Sequence, residues 1–362
     1  MMKAAYLFDK LDLRVLEVPV PNIGDHEILL KVKGASVCGT DVRMQSHGYR
    51  GVSPENPLLL GHEVSGVIHA VGEQIPAQYQ VGMRVTVAPN MGCGYCDLCI
   101  AGNTHLCPEY KALGINMPGG FAEYVVIPEA AVRQGNVVPI PDHVSFEEAA
   151  LAEPLACIYN AFQRLAITLG DEVLVIGAGP IGLMHALMAQ KAGAGKVIVS
   201  DIHTDRLAFV EQHFPGMITV PVQQLDEAIK RLTEGRGVDV CITANPSPQA
   251  QIKSLELTAI NGRINFFGGI PSGSDLSKFD SNLIHYRQLI VSGTTRQSVS
   301  QFRKVVKLIA DGVIPVDKLI THRYTLEELP LAIEQIKQGI GIKHAVIFEE
   351  GGGHGKLESH TV

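Results

Sequence analysis

The stretch VLVIGAGPIG, residues 173–182, constrains the fold of this chain more than any other. Its first half is apolar without alternation, the pattern of a strand covered on both faces, as in a parallel sheet. The glycines and Pro180 then call for a tight turn opening into a helix. Apolar runs of the same kind recur at KVIVSD, VDVCITA, RINFFGG and LIVSGTT, separated by helical stretches. Strands alternating with helices in this way mean a doubly wound α/β sheet.

Within that stretch, GAGPIG has the G-x-G-x-x-G spacing of a dinucleotide turn. Gly177, Gly179 and Gly182 permit the turn and close approach of a phosphate, while Pro180 and Ile181 begin a helix whose N-terminus meets the pyrophosphate. Asp201 ends the next strand, nineteen residues beyond Gly182. A carboxylate there accepts hydrogen bonds from ribose hydroxyls and repels a 2′-phosphate, which favours NAD over NADP. Arg206 pulls the other way, as an adenine-stacking or phosphate-binding group. The bland alternative is a glycine-rich packing turn with no nucleotide.

Residues 1 to about 155 have a different texture: short β-rich runs at 27–33, 63–71, 84–88 and 122–127, broken by Gly, Pro and Asn turns. This suits a partly open β-barrel. Into it is inserted C-x2-C-x2-C-x7-C, comprising Cys93, Cys96, Cys99 and Cys107. Four thiolates close tetrahedrally around one zinc and leave no open coordination position, so the site is structural. The lobe, about 90–110, has too few apolar residues for a core of its own, and the metal must hold it. Disulfides are the alternative, but the start MMKAAYLFDK has no secretory signal, which points to a reducing, cytoplasmic compartment.

A length of 362 residues suggests two domains, and 46% hydrophobic with 19% charged residues describes a globular protein. The net charge of −7 argues against nucleic acid or an anionic membrane as a partner. The expected division is 1–155 for the barrel, 156–297 for the nucleotide domain, 298–350 returning to the barrel through two amphipathic helices and the strand HAVIF, and a disordered tail at 351–362. The tail's His354 and His360 read as solvated residues, although histidines can touch a metal. Cys157 and Cys241, in apolar segments, read as inert core residues.

A second possible metal group is Cys38 with His62 and Glu63. Thiolate and imidazole are good zinc ligands, and a catalytic zinc needs three protein groups plus one exchangeable position. No local spacing joins Cys38 to His62, so ordinary core residues remain the alternative from sequence.

The strings CGTDV (38–42) and GHEVSG (61–66), followed by the four-cysteine lobe, resemble the zinc-containing medium-chain dehydrogenases, from about Lys3 to Phe348. That resemblance implies a GroES-like catalytic domain, a Rossmann domain and an active site in the cleft between them. Within the family the chain is most similar to the sorbitol (L-iditol 2-) and threonine dehydrogenase branch. The residues carrying this are Glu153 in AEPLA, the segment NLIHY (282–286) and Arg296 after SGTT. The resemblance implies Cys38, His62 and either Glu63 or Glu153 as ligands of the catalytic zinc, with both glutamates open candidates that exchange during turnover. It also implies that Thr40 accepts the first hydrogen bond and passes the proton on through the nicotinamide ribose, Asp41 orients His62, Thr295 contacts the cofactor, and Glu153 and Arg296 hold substrate hydroxyls. For Arg296 a solvated charge at a strand end is the alternative.

Two residues depart from the family pattern. Arg43 stands where alcohol and threonine dehydrogenases place a relay histidine; it stays charged and is a poor base. Proton exit then falls to water, Glu153 or, less readily, His47, which otherwise reads as an exposed loop residue. Met44 stands where sorbitol dehydrogenases have a substrate-contacting tyrosine. The implied activity is NAD-dependent, zinc-dependent interconversion of a sugar alcohol and its ketose, with two zinc ions per chain. The rivals are an L-threonine 3-dehydrogenase, a 2,3-butanediol or secondary alcohol dehydrogenase and, from another class, a non-enzymatic nucleotide-binding or structural relative. The resemblance further implies a dimer or tetramer, for which the strand near LIVSGTT offers an edge.

Overall fold

The computed structural model describes residues 1–348 except 272, 275 and 276. The expected tail at 351–362 lies outside the described residues.

Six parallel strands form one sheet in the order Met217–Pro221, Lys196–Asp201, Glu172–Ile176, Val238–Thr243, Thr258–Phe266, Ile290–Gly293. The chain starts at the centre, moves outward to one side, then crosses back and builds the other side. The order therefore reverses beside Glu172–Ile176, and ligands bind outside the carboxyl ends of the strands at such a point. Met217–Pro221 was not among the expected strands. Three of its five side chains are only partly covered, so it lacks the continuous apolar run that marks its neighbours.

The helix Pro180–Lys191 follows the turn and is buried along most of its length. It shares a core with the sheet and with the helices Ala152–Leu165 and Val299–Ala310. His185 sits inside this core, 2% exposed, with its ring edge-on to Phe267 at 4.6 Å.

The second body is a seven-stranded barrel-like sheet. Its path runs Val137–Pro139, Arg84–Val87, Val64–Val71, Ile28–Ser36, Lys343–Ile347, Ile320–Tyr324, with Tyr124–Ile127 also paired to Ile28–Ser36. Ile28–Ser36 is the hub. Its first half pairs with Tyr124–Ile127 and its end with Lys343–Ile347, while Val64–Val71 runs along nearly its full length. The HAVIF segment thus returns to the barrel-like sheet, and it brings the unanticipated strand Ile320–Tyr324 with it in parallel. Phe121, Leu30, Ile68 and Met44 fill the barrel core. Among the described residues no helix is long and apolar enough to cross a membrane.

Candidate metal centres and dinucleotide crevice

Cys38 caps the helix Gly39–His47, two residues beyond the end of the hub strand. Its backbone N–H donates to Asp41 Oδ2 at 2.9 Å, which ties the start of the helix to a fully buried carboxylate. His62 and Glu63 precede the strand Val64–Val71. The turn into it needs Gly61, whose φ is +96° and where an added Cβ would lie 2.6 Å from the Phe121 backbone nitrogen. Antiparallel pairing opposes Ala35 to Val64, and Ser36 N–H donates to the Glu63 carbonyl at 3.1 Å. Sheet register, not sequence spacing, sets Cys38 beside His62.

The ligand atoms of Cys38, His62 and Glu63 lie within 4.8 Å of one another. Tetrahedral zinc with bonds of about 2.0–2.3 Å sets its ligands roughly 3.3–3.8 Å apart, so the set fits after slight contraction. Glu63 is fully buried. Its Oε2 accepts from Lys343 Nζ at 2.6 Å and from the Ser36 hydroxyl, while Oε1 is buried with no hydrogen-bond partner. Buried carboxylate oxygens need a partner, and a cation between thiol and imidazole supplies one. His62 turns Nδ1 toward Asp41 Oδ1, 3.4 Å away, which leaves Nε2 for the metal. Burial is the largest single influence on Lys343 and opposes its charge, but Glu63, Cys38 and Glu153 together outweigh it and hold the lysine pKa above its usual value.

Glu153 falls outside the group of mutually close ligand atoms. It projects from the helix Ala152–Leu165, 7% exposed, and burial pushes its carboxyl up to about 7, with His62 opposing and Glu63 adding. One turn later Cys157 corrects the sequence reading. It stays inert, since burial and then the neighbouring Glu153 hold its thiol well above the usual range, but it is not a core residue: it is partly exposed, with its thiol 3.6 Å from Glu153 Oε1 and donating to Gln297 Oε1 at 3.0 Å. Asn90 Nδ2 donates to the same Gln297 oxygen at 2.9 Å. The i, i+4 step of the helix brings Cys157 to Glu153, which the apolar look of its segment concealed. Cys241 does lie in the core, where burial pushes its thiol far up.

Thr40 is partly buried at the start of its helix, and Arg43 and His47 are exposed, with the His47 ring nitrogen 3.2 Å from the Arg43 carbonyl. His47 thus stands in the last helical turn and not in a loop. Met44 is 1% exposed inside the barrel core. Arg296 is partly buried, and its guanidinium lies over the Tyr110 ring at 3.7 Å and donates to the His105 carbonyl at 2.9 Å, so it is not a solvated charge. Thr295 is exposed beside it. Lys343, Ser36, Gln297 and Tyr110 were absent from the sequence reading. Only Lys343 carried a signal, as a lysine heading an otherwise apolar strand.

In the cysteine lobe, Cys93 and Cys99 Sγ are 3.9 Å apart, as are Cys96 and Cys107 Sγ. All four sulfurs lie within 4.8 Å of one another, and the edges of a tetrahedron with bonds of about 2.3 Å measure about 3.8 Å, so two of the separations already match a zinc site. Backbone N–H groups of Tyr95 and Cys96 pull the Cys93 thiol down to about 7.

At the crevice, Gly177 ends its strand with φ +118° and donates to the Ser200 carbonyl at 2.7 Å. An added Cβ on Gly182 would lie 1.7 Å from the Gly177 oxygen, so helix and turn pack at contact distance. Gly179 is the N-cap and Pro180 opens the helix, with Ile181 next. Asp201 accepts from Ala178 N–H at 2.6 Å and from His203 N–H at 2.8 Å, and Arg206 Nη1 lies 3.9 Å away. These groups border a cavity of about 630 Å³ that also reaches Asn245 and Lys253. That volume suits a nucleoside half of a dinucleotide.

Residues 24–142 match the alcohol dehydrogenase GroES-like domain, and residues 180–311 match the zinc-binding dehydrogenase family. The chain is 33% identical to a sorbitol dehydrogenase of Bacillus subtilis, over 93% of this chain and 94% of the relative. It is also 33% identical to an L-threonine 3-dehydrogenase of Mesorhizobium japonicum, over 89% and 92%. Among solved structures, a short chain alcohol dehydrogenase from E. coli complexed with NADH superposes with a TM-score of 0.86 at 28% identity, covering 96% of this chain and 99% of that one. With a Cys–His–Glu centre, a four-thiolate lobe and a glycine turn at a topological switch point, the chain belongs to the zinc-containing medium-chain dehydrogenases.

Proposed function

We propose that this enzyme oxidises a sugar alcohol to its ketose, and reduces it back, with NAD as the hydride carrier. The observation that carries the reading is the buried Cys38–His62–Glu63 set with Glu153 beside it, since a second carboxylate at such a centre suits a substrate with neighbouring hydroxyls. Asp201 favours NAD, because a carboxylate there accepts from ribose hydroxyls and repels a 2′-phosphate.

In this reading Cys38, His62 and Glu63 would hold a zinc ion, which would supply the acidification of a substrate hydroxyl, and the glycine turn would hold a nicotinamide coenzyme, which would supply the hydride acceptor. The chain's own groups do the rest. Ser36 and Lys343 hold one oxygen of Glu63, so its other oxygen is aimed at the ion. Asp41 fixes the ring of His62. Glu153, with its carboxyl near 7, holds or releases a proton at neutral pH and takes over the work for which Arg43 is unsuited. Thr40 accepts the first hydrogen bond from the substrate hydroxyl and relays its proton onward, Arg296 holds a second substrate oxygen, and Gly177, Gly179, Gly182, Arg206 and Thr295 would line a bound coenzyme. The barrel with its lobe (1–155), the nucleotide domain (156–297) and the returning segment (298–350) then act as catalytic and coenzyme halves. The edge strand Ile290–Gly293 supports assembly into a dimer or tetramer, and the cytoplasm is the compartment that suits a zinc-thiolate lobe.

A second reading, L-threonine 3-dehydrogenase, draws on the equal identity to such a relative. A 2,3-butanediol or other secondary alcohol dehydrogenase is the third. Zinc-loaded protein incubated with NAD or NADP and a panel of sugar alcohols, L-threonine and 2,3-butanediol separates them. The expected result is NADH formation with a sugar alcohol. No NADH from any polyol, beside clear turnover of threonine, rejects the reading.

A further inference from the structure

Arg296 has φ +55°, a conformation that a non-glycine residue keeps only where its neighbours over-determine it. They do so here. Asn160 Nδ2 donates to the Arg296 carbonyl at 3.1 Å. The next residue, Gln297, is 1% exposed and accepts from Asn90 at 2.9 Å and Cys157 at 3.0 Å. Ser298 then caps the helix Val299–Ala310. The backbone is clamped, and the side chain is sent across to the cysteine lobe.

There it meets a single short stretch. The His105 carbonyl, two residues before the last thiol ligand Cys107, accepts from Arg296 Nη1 at 2.9 Å. Tyr110, three residues after Cys107 and bonded through its N–H to the Cys107 carbonyl at 3.1 Å, offers its ring face at 3.7 Å. Through Gln297 the same turn reaches Cys157, whose thiol lies 3.6 Å from Glu153 Oε1, so the clamped turn that carries Arg296 borders the catalytic centre.

We propose that Tyr110 is a positioning residue: its ring, with the His105 carbonyl, presents the Arg296 guanidinium to substrate, so that the four-cysteine lobe sets the geometry of the substrate pocket. This rests on the reading of Arg296 as the group that holds substrate hydroxyls. A guanidinium has five N–H donors in one plane, and the described contacts use one. A carboxylate partner would occupy the fork and cancel the charge. A ring face holds the cation from above and leaves the in-plane donors free. Among the described residues no carboxylate pairs with Arg296. Fixing the long side chain beforehand removes rotamer freedom that substrate binding would otherwise have to remove.

The test uses zinc-loaded enzyme and the polyol turned over best in the panel above. KM and kcat are measured for the wild type, Tyr110→Ala, Tyr110→Phe, Arg296→Ala and the double alanine variant. Calorimetry gives the polyol's dissociation constant in the presence of NADH, and melting midpoints report folding. Tyr110→Ala is expected to raise KM and the dissociation constant about tenfold with little change in kcat, the loss that one cation–π contact predicts. Tyr110→Phe, which keeps the ring, restores most of that loss, and the double variant is no worse than Arg296→Ala alone. Should Tyr110→Ala melt early, Tyr110→Leu, which keeps the bulk without the π face, takes its place. Independent, additive losses, or an unchanged KM in Tyr110→Ala while Arg296→Ala loses affinity, would overturn the positioning role. Unchanged KM and affinity in Arg296→Ala would instead remove the reading of Arg296 as a substrate group, and this inference with it.

Discussion

His185 gives the most direct check on the packing of the nucleotide domain. Its imidazole is 2% exposed, it faces Phe267 edge-on, and Nε2 is buried without a hydrogen-bond partner. Burial alone drives its pKa down to about 3 from the ordinary value of 6.5. A depressed histidine pKa means that the folded state refuses a proton the unfolded chain accepts. The stability this neutral ring allows is fully present above pH 6.5 and is lost as pH falls toward 3. Between pH 8 and pH 5 the loss is about 1.36 kcal/mol for each of 1.5 pH units below 6.5, or about 2 kcal/mol, rising to about 5 kcal/mol at pH 3 and below. His185→Leu removes the titration and the orphaned nitrogen while keeping an apolar side chain in place. Urea unfolding of wild type and variant at pH 8 and pH 5 reads the effect as a difference of differences, in which metal loss and other titrating groups cancel. The variant is expected to be at least as stable as wild type at pH 8 and about 2 kcal/mol less sensitive to acidification. Identical pH dependence in the two proteins would mean that His185 is hydrated or paired, and would refute the burial account.

Two further outcomes follow from the metal centres. In chelator-treated protein, Lys343→Met leaves the fully buried Glu63 without its cation and is expected to cost about 3–5 kcal/mol in urea unfolding. The Lys343→Met/Glu63→Gln double variant recovers most of this, and a single variant as stable as wild type would refute the buried ion pair. Cys99→Ser, at a buried lobe thiol, is expected to lower zinc content from about two ions to about one per chain by elemental analysis and to open residues 90–110 to protease. Retention of both ions would contradict a four-thiolate site.

Much of the fold was legible because the signals are local. Lys196–Asp201 appears with the bounds its sequence suggested, since a strand covered on both faces must be apolar throughout. Gly182 had to be glycine because helix and turn touch there. Met217–Pro221 and Ile320–Tyr324 were missed because each is only partly covered and owes its existence to a paired neighbour. Cys157 misled for a related reason. Its flanking residues are core, but its own side chain faces Glu153 and Gln297.

The primary sequence by itself determined the parallel sheet, the glycine turn and the four-thiol lobe, because periodicity, positive φ and close ligand spacing act over a few residues. Only the tertiary structure decided which glutamate joins Cys38 and His62, and that Lys343 and Ser36 hold it. Strand register brings Cys38 to His62, and the last described strand closes against the hub to bury Lys343 on Glu63. A charge excluded from water must find its partner within a few ångströms, and the partners here are separated by most of the length of the chain.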